Sequence, residues 1–519
     1  MIEFVPSWYT DTKSWDSLTH HWHQIQQNKA DDALSQLKIF CQAGEDAGVT
    51  NLAYMPGMRR HLLSEGISKA RMWSVFDEMQ GIFLTEIANV NFRDLSWPEG
   101  MEWVFSPFLM WGYLEEELNV RLEFSPDGEL TETDLFQNGD LALRYDWDDR
   151  GFVSRVTRYS KERAEYRDYL NPEGVIQFRE QLPDGRVLIA PGATRHFRHA
   201  SYPSLRELIA EVLNQRLSEF EKDDILIVSS DQRHNEWFLH KNRKTKVLLS
   251  VQEIKPENAS PKMLDDLLIA DRICCDSQWS ANRLLAHFPE LSEKVLVEPP
   301  IDARMEIGSS SEQKEEYLFY PVDNLSDEIL SRSLKLLEQT LEQNENAVLV
   351  LATSSSQYAE KEAIQRLRER VERLSSIRVP ADDIDLGENG RFTENEEPGE
   401  EPRTMLVSYA DTAELEKLLK ETRIILEMEA EPSERLQIMG IGMGIPQILA
   451  KPSRYVDHLQ DGYVLTSLDE LPAAICYYLQ DLNRWNEAML NCMQKVEYYS
   501  GEHIVRRLKQ FAEGRGNDQ

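Results

Sequence analysis

Residues 422–463 constrain the fold of this chain more than any other stretch. A short apolar and β-branched run, residues 424–428, has the length of a buried strand. An acidic turn with Pro432 follows, then a helical pattern, three glycines and a second apolar run over residues 447–450. Strand, turn, helix and strand form one βαβ unit, and α/β proteins bind their ligands at the turns that follow such strands.

The same alternation of strands and helices is predicted for most of the chain, which indicates two Rossmann-like halves. In the first half, strands are predicted at residues 2–5, 49–54, 225–228, 247–251, 272–275 and 294–298, and helices at residues 64–80, 261–270 and 277–288. In the second half, strands at residues 317–322, 347–351 and 405–407 precede the stretch described above, and one long last helix is predicted from residue 485 to residue 514.

Residues 91–192 interrupt this alternation with a different pattern. Aromatic and β-branched runs with two-residue periodicity are separated by turn dipeptides such as Asp127-Gly128 and Asn138-Gly139. Hairpins have this spacing, so we expect an antiparallel β-meander inserted into an α/β domain. Such a sheet exposes an edge and one face, which proteins seldom leave uncovered. The insertion resembles the β-meander of the glycosyltransferases that modify serine-rich adhesins, and this resemblance implies contact with a substrate or another subunit. A purely structural addition is the alternative.

The composition limits the classes of function. With 519 residues and a net charge of −34, the chain is unsuited to binding nucleic acid, which needs a basic surface. No window reaches the ~18 apolar residues of a membrane span. The N-terminus lacks a basic signal region, so we expect a cytoplasmic protein. The five cysteines are odd in number and lack a zinc-ligand spacing, so buried thiols are expected.

Two predicted loops of the first half have side chains suited to a sugar. Trp8 and Tyr9 follow the first strand, and adjacent aromatic rings can stack on a sugar, although packing under the next helix is an equal alternative. Asp231 and His234 follow the strand at residues 225–228 and should face the ligand-binding cleft at the carboxyl ends of the strands, as Trp8 and Tyr9 do. Ser, His and Asp on one loop rarely converge as a catalytic triad, so we interpret this loop as polar and ligand-facing.

Two further groups of residues have weaker functional interpretations. His20 and His23 could share a helix face, but neither a carboxylate nor a cysteine stands at ligand spacing, so no metal site is predicted. Arg506, Arg507 and Lys509 could touch anionic lipid, although a solvated helix face is the simpler explanation.

The 422–463 stretch resembles the nucleotide-sugar half of two-domain GT-B glycosyltransferases. That family has a glutamate in the turn, a second glutamate on the helix, then small residues, Gly, one residue and Pro. Counting back from Gly444 and Pro446, the first glutamate is Glu431, and Met439 occupies the second position after seven intervening residues. Residues 270–304, with a Ser-capped helix and a Pro-Pro-x-Asp exit, are similar to the end of a GT-B N-terminal domain. The resemblance implies an α/β GT-B fold with two Rossmann-like domains facing a cleft.

The resemblance also implies a damaged donor site. In the family, the second glutamate helps to hold the donor ribose, and the thioether of Met439 cannot accept the same hydrogen bonds. Active members place an arginine and a lysine after the first strand of the second half, where they bind the donor diphosphate. This chain has three acids there, beginning with Asp323, and no base before Arg332. Carboxylates oppose a pyrophosphate, and Arg435 alone does not make a donor site.

Over its full length the chain resembles the family of the first accessory secretory protein of the accessory Sec system. The resemblance rests on Phe-Val-Pro-Ser-Trp-Tyr at residues 4–9, Pro-Ser-x-Arg-Leu-Gln at residues 432–437 and Gly-Ile-Pro at residues 444–446. It implies a cytoplasmic, non-catalytic subunit without a cofactor. The implied partners are two other accessory secretory proteins, the accessory SecA motor and a glycosylated serine-rich repeat adhesin. Peripheral contact with the inner face of the cell membrane is a further option.

These inferences predict five segments and one binding cleft. Residues 1–90 and 193–310 form the N-terminal Rossmann-like domain, 91–192 the meander, 311–484 the C-terminal domain, and 485–519 a helix that packs back on the first domain. The candidate carbohydrate-binding residues of the cleft are Trp8, Tyr9, Asp231, His234, Glu431 and Arg435. No catalytic residue is predicted. Two alternatives stay open: an active retaining glycosyltransferase that uses Glu431, and a subunit that chaperones a catalytic glycosyltransferase.

Overall fold

The structure is a computed structural model of the chain. It describes residues 1–10, 14–17, 32–106, 108–125, 127–161, 163–239, 245–252, 260–354, 360–377, 379, 403–409 and 412–514. The prediction about His20 and His23 lies outside these residues. The chain divides into two compact units: the first comprises Met1–Gln24, Gly44–Val251 and Glu257–Ile273, and the second Ile25–Ala43, Gln252–Pro256 and Cys274–Gln519.

The strands belong to three sheets. In chain order they are β1 (Ile2–Val5), β2 (Ala47–Asn51), β3 (Arg71–Ser74), β4 (Glu102–Phe105), β5 (Leu109–Leu114), β6 (Glu117–Phe124), β7 (Leu130–Gln137), β8 (Asp140–Trp147), β9 (Val153–Ser160), β10 (Arg163–Leu170), β11 (Ile176–Gln181), β12 (Val187–Ile189), β13 (Ser201–Tyr202), β14 (Ile225–Ser229), β15 (Lys246–Val251), β16 (Arg272–Cys275), β17 (Val295–Val297), β18 (Glu316–Pro321), β19 (Ala347–Ser354), β20 (Thr404–Tyr409), β21 (Thr422–Glu427), β22 (Gln447–Leu449) and β23 (Gly462–Val464).

The α-helices connect and cover these strands. They are α1 (Asp32–Gln42), α2 (Met58–Ser64), α3 (Val75–Gln80), α4 (Leu205–Leu217), α5 (Asn235–Leu239), α6 (Pro261–Ile269), α7 (Gln278–His287), α8 (Asp327–Gln343), α9 (Glu360–Leu374), α10 (Thr412–Lys420), α11 (Glu434–Met443), α12 (Leu471–Leu479), α13 (Leu482–Val496) and α14 (Gly501–Ala512).

The first sheet has seven strands in the order β17-β16-β15-β14-β1-β2-β3. β1 lies parallel to both of its neighbours, with Ile2 opposite Ile225 of β14 and Ala47 of β2. Its four residues are buried, which explains why the strand is a continuous apolar run apart from Glu3. Parallel neighbours end at the same edge of a sheet, so the loops after β1 and β14 lie side by side.

The third sheet has six strands in the order β20-β19-β18-β21-β22-β23, and the pairs recorded within it are parallel. The apolar residues of β18, β19 and β21 form its buried centre, with α8 and α12 on one face and α10 and α11 on the other. Two parallel sheets with helices around them, plus an inserted antiparallel sheet, confirm the predicted α/β class.

The inserted sheet has ten strands in the order β13-β12-β11-β10-β9-β8-β7-β6-β5-β4, and every pair in it is antiparallel. A buried cation attaches it to the rest of the first unit. Arg155 on β9 pairs with Asp146 on β8 at 2.7 Å and with Asp16, and its guanidinium lies 4.0 Å from the ring centroid of Tyr54. The predicted meander is confirmed.

Two helix predictions were wrong. Residues 64–80 were expected to be one helix, but they contain the end of α2, the strand β3 and the helix α3. Gly66 adopts a left-handed φ of 77°, which ends the first helix, and Ser74 accepts a hydrogen bond from the Asp77 amide to begin the next. The long last helix is two helices, α13 and α14, separated by residues 497–500. Within the second unit, α14 packs against α1.

The glycines of α11 permit a close approach between segments, as the sequence predicted. A Cβ on Gly442 would collide with the carbonyl oxygen of Ala303. Gly444 ends the helix with a left-handed φ of 72°, a conformation that favours glycine. A side chain at either position would push the helix away from its neighbours.

Candidate functional site

Two candidate residues of the first unit are in direct contact. Tyr9, after β1, and His234, after β14, are joined by a hydrogen bond of 2.8 Å between the Tyr9 hydroxyl and Nδ1 of His234. Nε2 of His234 lies 2.7 Å from the Ser229 carbonyl oxygen, which can only accept. The proton of a neutral ring is therefore on Nε2, so the Tyr9 hydroxyl donates to Nδ1.

Burial keeps this pair uncharged. Burial raises the pKa of the Tyr9 hydroxyl and lowers the pKa of the His234 imidazole. The Tyr9 side chain is 5% exposed and His234 is fully buried. Both side chains are therefore buried beneath the loops after β1 and β14, and their hydrogen bond holds these loops together.

Asp231 and Arg233 form the charged part of the same loop. Arg233 pairs with the Asp231 carboxylate at 3.0 Å, and its guanidinium lies 3.8 Å from the centroid of the Tyr9 ring. Burial acts to raise the pKa of Asp231, but the hydrogen bonds from Arg233 outweigh it and lower that pKa. Asp231 is therefore ionised and already occupied by a base on its own loop.

Tryptophans surround this loop. Trp8 makes an edge-to-face contact with His61, at a centroid distance of 5.9 Å. Trp15 stacks on Trp237 at 5.8 Å, and the guanidinium of Arg206 lies 4.7 Å from the Trp237 ring. The sequence analysis did not predict the contact between Trp15 and Trp237, because two residues so far apart in the chain share no local pattern. Only the expected proximity of the loops after β1 and β14 could have indicated this contact.

In the second unit, a buried glutamate organises the turn after β21. Glu427 accepts a hydrogen bond of 2.8 Å from the Ser433 amide and another of 2.8 Å from the side-chain amide of Gln437. Burial raises the pKa of Glu427 to about 8, although both hydrogen bonds oppose the shift. Ser453 donates to the Gln437 side chain at 2.5 Å, which extends the network to the segment after β22. This network was not predicted.

The turn presents Glu431 to solvent. Glu431 is exposed, and Arg435, on the first turn of α11, is partly buried and donates to the Thr412 hydroxyl at 2.9 Å. Met439 is fully buried in the core of the unit. The position at which GT-B enzymes have a ribose-binding glutamate is therefore an apolar packing position here.

Two acids lie at or near the turn after β18, and both already accept hydrogen bonds: Asp323 in the turn itself and Glu429 after β21. Asp323 accepts hydrogen bonds of 2.5 Å from the Thr353 hydroxyl and 2.7 Å from the Ser354 amide. Asn324 donates to Glu429 at 3.3 Å, and burial, with the nearby charges of Asp323 and Glu431, raises the pKa of Glu429.

The first base after this turn does not compensate the acids. Arg332 pairs with Asp469 at 2.6 Å. Two bases of α9, Arg370 and Arg373, do reach the turn, but they pair with Asp327 at 2.9 and 2.8 Å. A phosphate at Asp323 would therefore be repelled by that carboxylate and would compete with Asp327 for these bases.

No group of three or more His, Cys, Asp or Glu side chains in the described ranges could hold a metal ion. No described helix has both the length and the apolar character needed to cross a membrane.

The family model that matches this chain covers residues 1–514 and describes the accessory Sec system protein 1. The chain belongs to this accessory Sec family. Its relatives include the family members of Streptococcus gordonii, 29% identical over 98% of both chains, and of Staphylococcus aureus, 25% identical over 99% of both chains. The resemblance stated from the sequence is confirmed.

Solved structures show that this accessory Sec family chain has the GT-B fold. The Gap123 glycosylation-associated complex of Streptococcus agalactiae contains a chain that is 28% identical, with a TM-score of 0.75, covering 98% of this chain and all of that one. The structure of accessory secretory proteins 1, 2 and 3 of Streptococcus pneumoniae gives a TM-score of 0.77 at 24% identity, with full coverage of both chains. The pneumococcal O-GlcNAc transferase GtfA, solved with UDP and GlcNAc, gives 0.66 at 12% identity, covering 100% of this chain and 99% of that one, which shows a shared fold alone.

Proposed function

We propose that this chain is a non-catalytic GT-B-like subunit of the accessory Sec export complex, which binds O-glycosylated serine-rich repeat adhesin and delivers it for secretion. Its partners would be two other accessory secretory proteins, since the similar chains come from three-protein complexes, and the accessory SecA motor. The work would take place in the cytoplasm, with peripheral contact at the inner face of the membrane.

The single observation that supports a non-catalytic role is the acidic turn after β18. Asp323 occupies the place of a diphosphate-binding base, and hydrogen bonds from Thr353 and Ser354 hold its carboxylate there. Retaining transfer needs a bound nucleotide diphosphate, and electrostatic stabilisation is a large part of that catalysis. Met439 removes the ribose contact as well, because its side chain is buried.

Glycan binding without turnover would use the exposed candidates. Trp8 supplies a partly exposed ring, and Glu431 and Arg435 supply polar groups suited to sugar hydroxyls. The other candidates would support the loops and would not contact the glycan. The Tyr9–His234 hydrogen bond and the Asp231–Arg233 pair fix the loops after β1 and β14.

Calorimetry of the purified chain tests this proposal. We expect binding to glycosylated adhesin repeats, and none to bare repeats or to UDP-sugars. Trp8→Ala should weaken glycan binding about tenfold, which corresponds to about 1.4 kcal/mol. Trp97→Ala is the matched control, because Trp97 is a partly buried ring that packs against the inserted sheet in the same unit. Equal loss in both variants, or binding to bare repeats, would refute the glycan role.

An active glycosyltransferase is the second candidate, and the exposed Glu431 at the family position favours it. Tight UDP-sugar binding with transfer to adhesin repeats, abolished by Glu431→Gln, would establish it. Recovery of a catalytic glycosyltransferase in place of the two accessory secretory proteins would instead support a chaperone of an adhesin O-glycosyltransferase.

A further inference from the structure

Among the described residues, the inserted sheet has one edge that no strand or helix covers. Its two outer strands are β13 and β4. β13 has two residues, and its Tyr202 hydroxyl donates to Glu211 of α4 at 2.7 Å, so a helix covers that edge. β4 has four residues and pairs with β5 alone among the described strands. An edge strand directs alternate N–H and C=O groups away from the sheet, where another strand can pair with them.

The open edge also exposes apolar side chains. Val104 is 52% exposed and Phe105 is 62% exposed. Trp103 precedes Val104 in the strand and packs into the sheet, because its ring lies 3.0 Å from the position that a Cβ on Gly112 would take. β4 is thus attached to the sheet through Trp103, and it exposes one apolar side chain on each face, since Val104 and Phe105 are consecutive. Proteins usually protect such an edge by charge, proline or a covering segment.

The charges beside β4 are predominantly negative, although Arg93 lies over the Phe92 ring, which packs on Trp103. Residues 99–117 contain five glutamates and no lysine, arginine or histidine. All five glutamates are exposed, and within the described residues none forms an ion pair; they are Glu99, Glu102, Glu115, Glu116 and Glu117. They are close together because the segment at Gly100 approaches Leu114, with 3.8 Å from a Cβ placed on Gly100 to the Leu114 side chain.

The hairpin beside β4 keeps a strained acidic tip. Glu115 and Glu116 form the two-residue turn between β5 and β6, with left-handed φ values of 51° and 66°. The equivalent turn between β7 and β8 uses Asn138 and Gly139, with φ values of 54° and 81°. Asn-Gly is the preferred pair for this conformation, whereas two glutamates add both strain and mutual repulsion. The β7–β8 turn of this sheet therefore has the favoured residue pair, whereas the β5–β6 turn beside the open edge has a destabilising one.

We infer that β4 is the docking edge for an extended protein segment that bears lysine or arginine. Such a segment would add an eleventh strand, cover Val104 and Phe105, and neutralise the glutamates at the Glu115–Glu116 tip. A second copy of this chain fits poorly, because its own β4 would bring five further glutamates to the same place. Charge complementarity thus selects a basic partner strand over self-association.

The inference is tested in the full chain by hydrogen exchange of the β4 amides. One arm compares the free chain with the chain assembled with the two other accessory secretory proteins, and this arm rests on the proposed function. The other arm uses a synthetic eight-residue peptide of alternating lysine and valine, and it does not. We expect slower exchange over β4 in at least one arm, with 0.5 M NaCl reversing the effect on the peptide.

Two variants separate docking from folding. Glu115→Asn with Glu116→Gly should raise the thermal midpoint of the chain and yet weaken the interaction at least tenfold. Glu173→Gln with Asp184→Asn removes the same charge from two other exposed turns of the sheet and should leave the interaction unchanged. Failure to assemble while the peptide still protects β4 would refute the proposed assembly and retain the docking edge. Unchanged β4 exchange in both arms, or self-association that buries β4, would overturn the inference.

Discussion

Arg507 of α14 donates two hydrogen bonds, of 2.5 and 2.8 Å, to the carboxylate of Glu298 in the segment after β17. Burial raises the pKa of Glu298, and the arginine opposes that shift. The pair fixes the C-terminal helix to the second unit. A cation that the sequence analysis considered for lipid contact therefore has a partner within its own unit.

Removing this arginine should destabilise the second unit. Arg507→Ala leaves a buried carboxylate without its cation, and we expect a loss of about 3 kcal/mol in the free energy of unfolding. Arg506→Ala is the matched control: Arg506 is exposed, so its loss should change stability by less than about 0.5 kcal/mol. Denaturant unfolding monitored by hydrogen exchange of α14 measures both. Equal effects of the two substitutions would contradict the assignment.

The first unit should lose stability in mild acid through His234. Burial lowers the pKa of His234 below its ordinary value of 6.5, so the unfolded chain binds the proton more readily than the folded one. The contribution of His234 is therefore lost as the pH falls below about 6.5, by up to about 1.4 kcal/mol per pH unit. The difference in unfolding free energy between the native chain and His234→Gln should narrow from pH 7 to pH 5. A pH-independent difference would be evidence against a buried neutral imidazole.

The second unit should show the opposite trend through Glu427. Its pKa of about 8 lies above the ordinary value of 4.5, so between these values the folded chain holds the proton more tightly. Stability should fall as the pH rises from about 5 to 8, again by up to about 1.4 kcal/mol per pH unit. In Glu427→Gln this slope should flatten, as measured by hydrogen exchange of β21. An unchanged slope would assign the titration to another group.

Gly442 should tolerate no side chain. Gly442→Ala would place a methyl group against the Ala303 carbonyl oxygen, and overpacking of this kind costs about 1–3 kcal/mol. Gly192→Ala is the control, because no heavy atom lies within 4 Å of its added Cβ. Thermal unfolding of the two variants makes the comparison. A stabilised Gly442→Ala would mean that helix propensity outweighs the contact.

Much of the fold follows from local patterns in the sequence. The strand at residues 272–275 and the helix capped by Ser277 were predicted within one residue, since apolar period and cap chemistry act locally. The helix predicted at residues 64–80 was wrong because Gly66 adopts a left-handed φ, which ends α2. The glycine at the start of α14 has a tertiary cause: a Cβ on Gly501 would lie 2.6 Å from the Asp302 carboxylate.

The candidate site was predictable only in part. Sheet topology let the sequence place Tyr9 and His234 on neighbouring loops, and they are in contact; their role toward a sugar stays a prediction. The buried state of Glu427 was not predictable, because it depends on donors contributed by Ser433 and Gln437 after the chain folds back. Trp15 and Trp237 show the same limit, since 222 positions separate two rings that stack at 5.8 Å.

The pairing of β1 with β14 also sets an order of events during synthesis. Ile2 cannot pair with Ile225 until residue 225 has been synthesised, whereas each strand of the inserted sheet pairs with the strand next to it in the chain. Hairpins close short loops rapidly, and distant pairings form slowly. At the ribosome, chains grow by about 5–20 residues per second, so the ten-stranded sheet has about 1–5 s after the synthesis of Tyr202 before Ile225 of β14 is added. The inserted sheet can therefore be complete while the first strand of the protein is still without one of its two neighbours.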